Sequence, residues 1–106
     1  MTPETKKQLE QLNVTVVTAG HALSGAERGL SGRFNGVYPV EIMAHTLRTF
    51  GQGTKVCFEC AVMALDNDAV IYNQPVVAIG GSSRGSDTAM IITPSYSATI
   101  LDTKIH

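Results

Sequence analysis

The sequence predicts an α/β protein, a three-layer sandwich on a mainly parallel sheet, folded as one domain over residues 1–106. Three observations lead there. Two short apolar runs, Val14–Thr18 and Val76–Ile79, are rich in β-branched residues and lack polar alternation, the pattern of parallel strands buried on both faces. Segments with helical spacing of apolar residues lie between them. Each run opens directly into a glycine-rich stretch, as strand ends at the ligand-binding edge of an α/β sheet do.

The elements follow in order. Thr2 caps a first helix, Pro3 suits its first turn, and Leu9 and Leu12 share a face, so the helix ends near Asn13. Val14–Thr18 is the first strand. Residues 19–36 hold five glycines in eighteen positions and read as a long functional loop. Pro39 starts a second helix with Val40, Met43, Ala44 and Leu47 on one stripe, ended by Gly51 and Gly53. A third helix runs from Thr54 to Asp66, its wide apolar face of Val56, Cys57, Cys60, Ala61, Ala64 and Leu65 suited to packing on a sheet. Val76–Ile79 is a buried parallel strand, Gly80–Thr88 a second glycine-rich loop, and Met90–Ile92 a further strand. Pro94–Tyr96 turns the chain into a last strand between Ile100 and Ile105.

Composition narrows the function. A chain of 106 residues can bury one core and not two, and 43% hydrophobic against 16% charged residues is the composition of a folding chain. The net charge of -1 provides no basic field for nucleic acid or an anionic bilayer. No apolar run reaches the roughly 20 residues of a membrane span, and the polar opening lacks a signal peptide's apolar stretch. A cytoplasmic protein is the expectation, and two cysteines without a disulfide framework agree with a reducing compartment.

The chemistry sits in the two glycine stretches. Glycine accepts positive φ and lets backbone N–H groups approach an anion, and serine and threonine hydroxyls add donors. The first stretch contributes Thr18, Gly20, His21, Ser24, Gly25 and Arg28. The second contributes Gly80, Gly81, Ser82, Ser83, Arg84, Gly85, Ser86, Asp87 and Thr88. Arg84 offers a planar fork of donors for a phosphate, a charge-assisted contact of about 1.5–3 kcal/mol. The competing reading of 80–88 is a plain solvated turn, since Gly, Ser and Asp are ordinary turn formers. The second stretch matches neither GxxxxGK[ST] nor GxGxxG. Asp87 reads as a cap rather than a base.

Other constellations carry less. Cys57 and Cys60 lie mid-helix with no second pair and read as core residues rather than a metal or redox site. His45 reads as a half-exposed helix residue and His106 as the chain end, which leaves His21 as the histidine placed for a ligand. No paired carboxylates and no Ser/His/Asp spacing suggest acid–base or nucleophilic catalysis.

From Val76 to Pro94, VVAIGGSSRGSDTAMIITP resembles the carboxy-terminal α/β domain of pyruvate kinase. Together with TAGHALSGAERGLSGRFNGVYPVEIMAHTLRTFGQGTKVCFECAVMALD, it is similar to the free-standing bacterial and archaeal members of that family, over nearly the whole chain. The resemblance implies binding of a phosphorylated small molecule near Ser82–Thr88, and flavin mononucleotide (FMN) as a cofactor found among such relatives. It implies no phosphoryl transfer, because pyruvate kinase keeps its active site in a separate barrel domain. Those relatives are longer at the amino terminus, so the expected sheet is incomplete, leaving an open strand edge for a homo-oligomer or another chain to complete. The expected function is a binding or regulatory module for a phosphorylated ligand. The alternatives are a flavin-dependent oxidoreductase and a structural subunit that completes a partner's sheet.

Overall fold

The computed structural model describes all 106 residues. Four α-helices, α1 (Pro3–Gln11), α2 (Gly25–Phe34), α3 (Pro39–Arg48) and α4 (Gln52–Asp66), precede the strands β1 (Val76–Ser82) and β2 (Gly85–Thr93). A 3-10 segment (Ser97–Asp102) and the two-residue β3 (Lys104–Ile105) close the chain. The sheet order is β1-β2-β3, and both pairings are antiparallel.

This overturns the expected parallel three-layer sandwich. A parallel crossover takes about a dozen residues or more, and here only Ser83 and Arg84 separate β1 from β2, so the chain folds back on itself. Val76 pairs with Ile92, Val77 with Ile91 and Ser82 with Gly85, with a bulge between Gly80 and Gly81. Gly85, at φ 115°, takes the left-handed geometry that the turn demands. The V-V-A-I run is covered on one face only. Ala78 and Ile92 are buried under α4, whereas Val77, Ile79 and Ile91 are 67%, 65% and 52% exposed on the uncovered face.

Val14–Thr18 forms no strand: the segment has no ladder partner and lies at or near the surface. β-branched residues favour a pleated, half-buried surface rather than extended structure as such, and that surface is missing here. The carboxy-terminal strand expected over Ile100–Ile105 is mostly 3-10 helix, with Lys104 and Ile105 alone paired to β2.

Residues 19–36 are a further correction, because most of that glycine-rich loop is α2. Glu27 in its first turn and Arg33 in its last match the helix dipole, and Asn35 at φ 55° closes it, its N–H donating to Ser31 O. The helices at Pro39 and through Asp66 form as expected, α4 beginning two residues early at Gln52. Pro39 supplies the fixed φ of a first helical position, and Gly51 at φ 110° separates α3 from α4. α4 is the centre of the core: Cys57, Phe58, Ala61 and Val62 pack with Leu23, Ala44, Ala78 and Ile92.

Candidate functional site in the cleft between the second and third helices

α4 organises the molecule from different faces. Its Gly53, Val56 and Cys57 meet the hairpin so closely that a Cβ at Gly53 would fall on Thr88 Oγ1 and the Asp87 carboxylate. Cys57 Sγ donates toward Ala78 O at 3.5 Å and Thr88 O at 3.6 Å. At about 100° per residue, Glu59 faces well away from Cys57 and meets the chain ahead of α2 instead.

There the Leu23 N–H donates to Glu59 Oε2 at 2.7 Å, Lys55 Nζ donates to Oε1 at 2.8 Å, and exposed His21 places Nδ1 3.4 Å from Oε1. Burial alone would push the Glu59 carboxyl up. The bonds from Lys55, the Leu23 amide and His21, with the lysine charge, overcome it and hold the group below the usual glutamate range.

Ser24 follows at the amino-terminal cap of α2, where its hydroxyl makes no capping bond. From it runs a polar stripe, Ser24, Arg28 and Ser31, at spacings of four and three residues. α3 carries the same spacing in Glu41, His45 and Arg48. The two stripes enclose a cavity of about 260 Å³ with Leu23 and Ala44 in its wall. Arg48 Nη1 donates to His45 Nδ1 at 3.3 Å and its Nε to Gln52 Oε1 at 2.8 Å; neither Arg48 nor Arg28 forms an ion pair. Across the cleft, Glu27 Oε2 accepts the Glu41 N–H at 3.1 Å and fixes the start of α3. A second cavity, of about 230 Å³, shares Ser24 and includes His21 and Gly25.

The structure therefore divides the sequence-predicted site residues. His21, Ser24, Gly25 and Arg28 gather around the start of α2, and Thr18 and Gly20 lie in the connection leading to it. Gly80, Gly81 and Ser82 end β1; Ser83 and Arg84 form the turn; Gly85, Ser86, Asp87 and Thr88 begin β2. None of five well-formed cavities is lined by any of these hairpin residues. The Arg84 N–H bonds Ser82 Oγ at 3.3 Å and Thr88 Oγ1 bonds Asp87 Oδ1 at 2.8 Å, contacts internal to the hairpin.

Ser31, Glu41, His45 and Arg48 are cavity residues absent from the sequence-based site. The signal for the last three was the polar stripe of α3 beside its apolar one, which a search for glycine loops passes over; Ser31 lies on α2, within the stretch read as a loop. Of the two cysteines read as core residues, Cys57 is buried in the core, whereas Cys60 is exposed on α4; burial pushes the Cys57 thiol up, helped by Cys60 and Asp87, and both thiols are held away from the thiolate form. No group of three or more His, Cys, Asp or Glu side chains is placed to hold a metal ion, and no helix is long and apolar enough to cross a membrane. No protein-family model matches the chain.

Proposed function

We propose that this chain is a binding module for a phosphorylated small molecule, with the phosphate held in the cleft between α2 and α3. The carrying observation is that two guanidinium groups without ion-pair partners, Arg28 and Arg48, line one cavity with the hydroxyls of Ser24 and Ser31. Guanidinium forks match phosphate oxygens bidentately, and hydroxyls supply the remaining donors. The resemblance of residues 76–94 to the pyruvate kinase carboxy-terminal domain points to the same class of ligand, although the cleft lies on other elements.

FMN belongs to that class. The cleft suits its phosphate end. It offers no Phe, Tyr or Trp side chain to the flavin rings, and its volume lies below the roughly 300 Å³ at which pockets for drug-sized ligands begin. The residues therefore fit the phosphate and not the ring system, and no redox step is derived.

Titration of the full chain with inorganic phosphate, followed by NMR of the Arg28 and Arg48 side chains, tests the reading. Saturable shifts at both are expected, and a flat titration overturns it. Retention of yellow absorbance after desalting from FMN would bring the flavin back.

A second reading concerns assembly. β1 has no neighbour on its outer side, and Val77, Ile79 and Ile91 are uncovered on the face opposite α4. These features suit a homo-oligomer or a partner strand that completes the sheet. A stable monomer at high concentration in size-exclusion chromatography with light scattering would count against the homo-oligomer.

A further inference from the structure

The cleft carries charge that its own walls leave unmatched. Arg28 and Arg48 have no ion-pair partner, although Glu41 lines the same cavity. Glu41 Oε1 is closed off from solvent and is the single buried side-chain nitrogen or oxygen in the chain with no hydrogen-bond partner. A buried acceptor without a donor is costly, and native structures keep few of them. Glu41 and Arg48 stand at the two ends of the α3 stripe, about 10 Å apart along the helix axis. Glu27, bonded to the Glu41 N–H, adds a second carboxylate at the Glu41 end. The α3 wall of the cleft is thus anionic at its Glu41 end and cationic at its Arg48 end, with Arg28 on the α2 wall.

Resting on the phosphate reading above, we propose that the ligand is zwitterionic: a phosphomonoester that also carries an ammonium group. Arg28 and Arg48 take the phosphate and Glu41 takes the ammonium. Charge balance favours this over a simple phosphate ester. A dianionic phosphate matches the two guanidinium groups and leaves the carboxylates of Glu41 and Glu27 uncompensated close to the new anion; one ammonium on the ligand offsets that of Glu41, which lines the cavity. A hydroxyl would donate a hydrogen bond and leave the charge in place. Carboxylate and ammonium in a partly desolvated cleft form the stronger, charge-assisted contact.

The test compares four probes on the full chain by calorimetry near neutral pH: inorganic phosphate, ethyl phosphate, glycerol phosphate and phosphoethanolamine. Phosphoethanolamine should bind about tenfold more tightly than ethyl phosphate, the size expected for one charged hydrogen bond. In Glu41→Gln that preference should shrink to about twofold or less, with inorganic phosphate bound at least as well as by the wild type, since a nearby negative charge is gone. Equal affinity for ethyl phosphate and phosphoethanolamine overturns the zwitterion while the phosphate reading stands. A preference for glycerol phosphate over phosphoethanolamine overturns it in favour of a hydroxyl ligand, and a preference that survives Glu41→Gln removes Glu41 from the site. If none of the four binds, the phosphate reading itself fails and takes this inference with it. Should Glu41→Gln not fold, the ranking of the four probes on the wild type decides.

Discussion

Lys55 and Glu59 form an ion pair inside α4, Nζ to Oε1 at 2.8 Å, with side chains only 6% and 4% exposed. Both charges are desolvated, and the pair persists because the second carboxylate oxygen also has a donor in the Leu23 amide. Removing one partner should hurt far more than removing both. Glu59→Leu strands a buried ammonium and should cost about 3–5 kcal/mol. Lys55→Met combined with Glu59→Leu should recover much of that loss. Urea denaturation of the two variants checks the order, and a double variant as unstable as the single would contradict it.

The same carboxylate gives stability a defined pH dependence. Its folded pKa lies below the ordinary value, so the charged form favours the fold. That contribution is complete above the unfolded glutamate value of about 4.3 and is lost as acid carries the pH down through the lowered folded value. Urea midpoints measured stepwise from about pH 5 to about pH 3 should fall for the wild type and fall less steeply for Glu59→Gln.

Arg28 and Arg84 separate the cleft from the hairpin as a phosphate site. Arg28→Ala should weaken inorganic phosphate binding by about tenfold or more, the loss of one charge-assisted contact. Arg84→Ala should leave the affinity unchanged. The reverse result in calorimetry would move the site to the β1–β2 turn.

Two glycines on different helices should respond with opposite sign. Gly29 lies inside α2, and a Cβ there meets nothing within 4 Å. Gly29→Ala should therefore stabilise the protein by about 0.5–1 kcal/mol, the usual helix-interior difference. Gly53→Ala forces Thr88 and Asp87 aside and should destabilise by about 1–3 kcal/mol, the range for overpacking. Thermal melts of the two variants decide both signs.

The helices that bury an apolar stripe were legible from residues: Pro39 and the Val40–Leu47 stripe mark α3, and the face from Val56 to Leu65 marks α4. α2 was hidden because Gly25, Gly29 and Gly32 are weak helix formers, while its support comes from Glu27, Arg33 and Asn35 at its ends. The strand at Val76 was found with the wrong environment. An uninterrupted V-V-A-I run looks the same whether its second face is covered or bare, and only the two-residue turn at Ser83 and Arg84 distinguishes a hairpin from a crossover. Ser24 and Arg28 could be read from the glycine stretch. Their companions His45 and Arg48 show only as a polar stripe on α3, and nothing in the sequence joins that stripe to Ser24 and Arg28, because the cleft arises from how α2 and α3 lie together.

The bond from the Leu23 amide to Glu59 has a mechanical consequence. One carboxylate, gripped by a lysine in the interior, anchors the residue immediately before Ser24, so the threshold of α2 moves with the body of the protein and not with the surface. A molecule resting beside Ser24 and Arg28 meets a floor already set in place, and little ordering of the main chain at that corner is left for binding to accomplish.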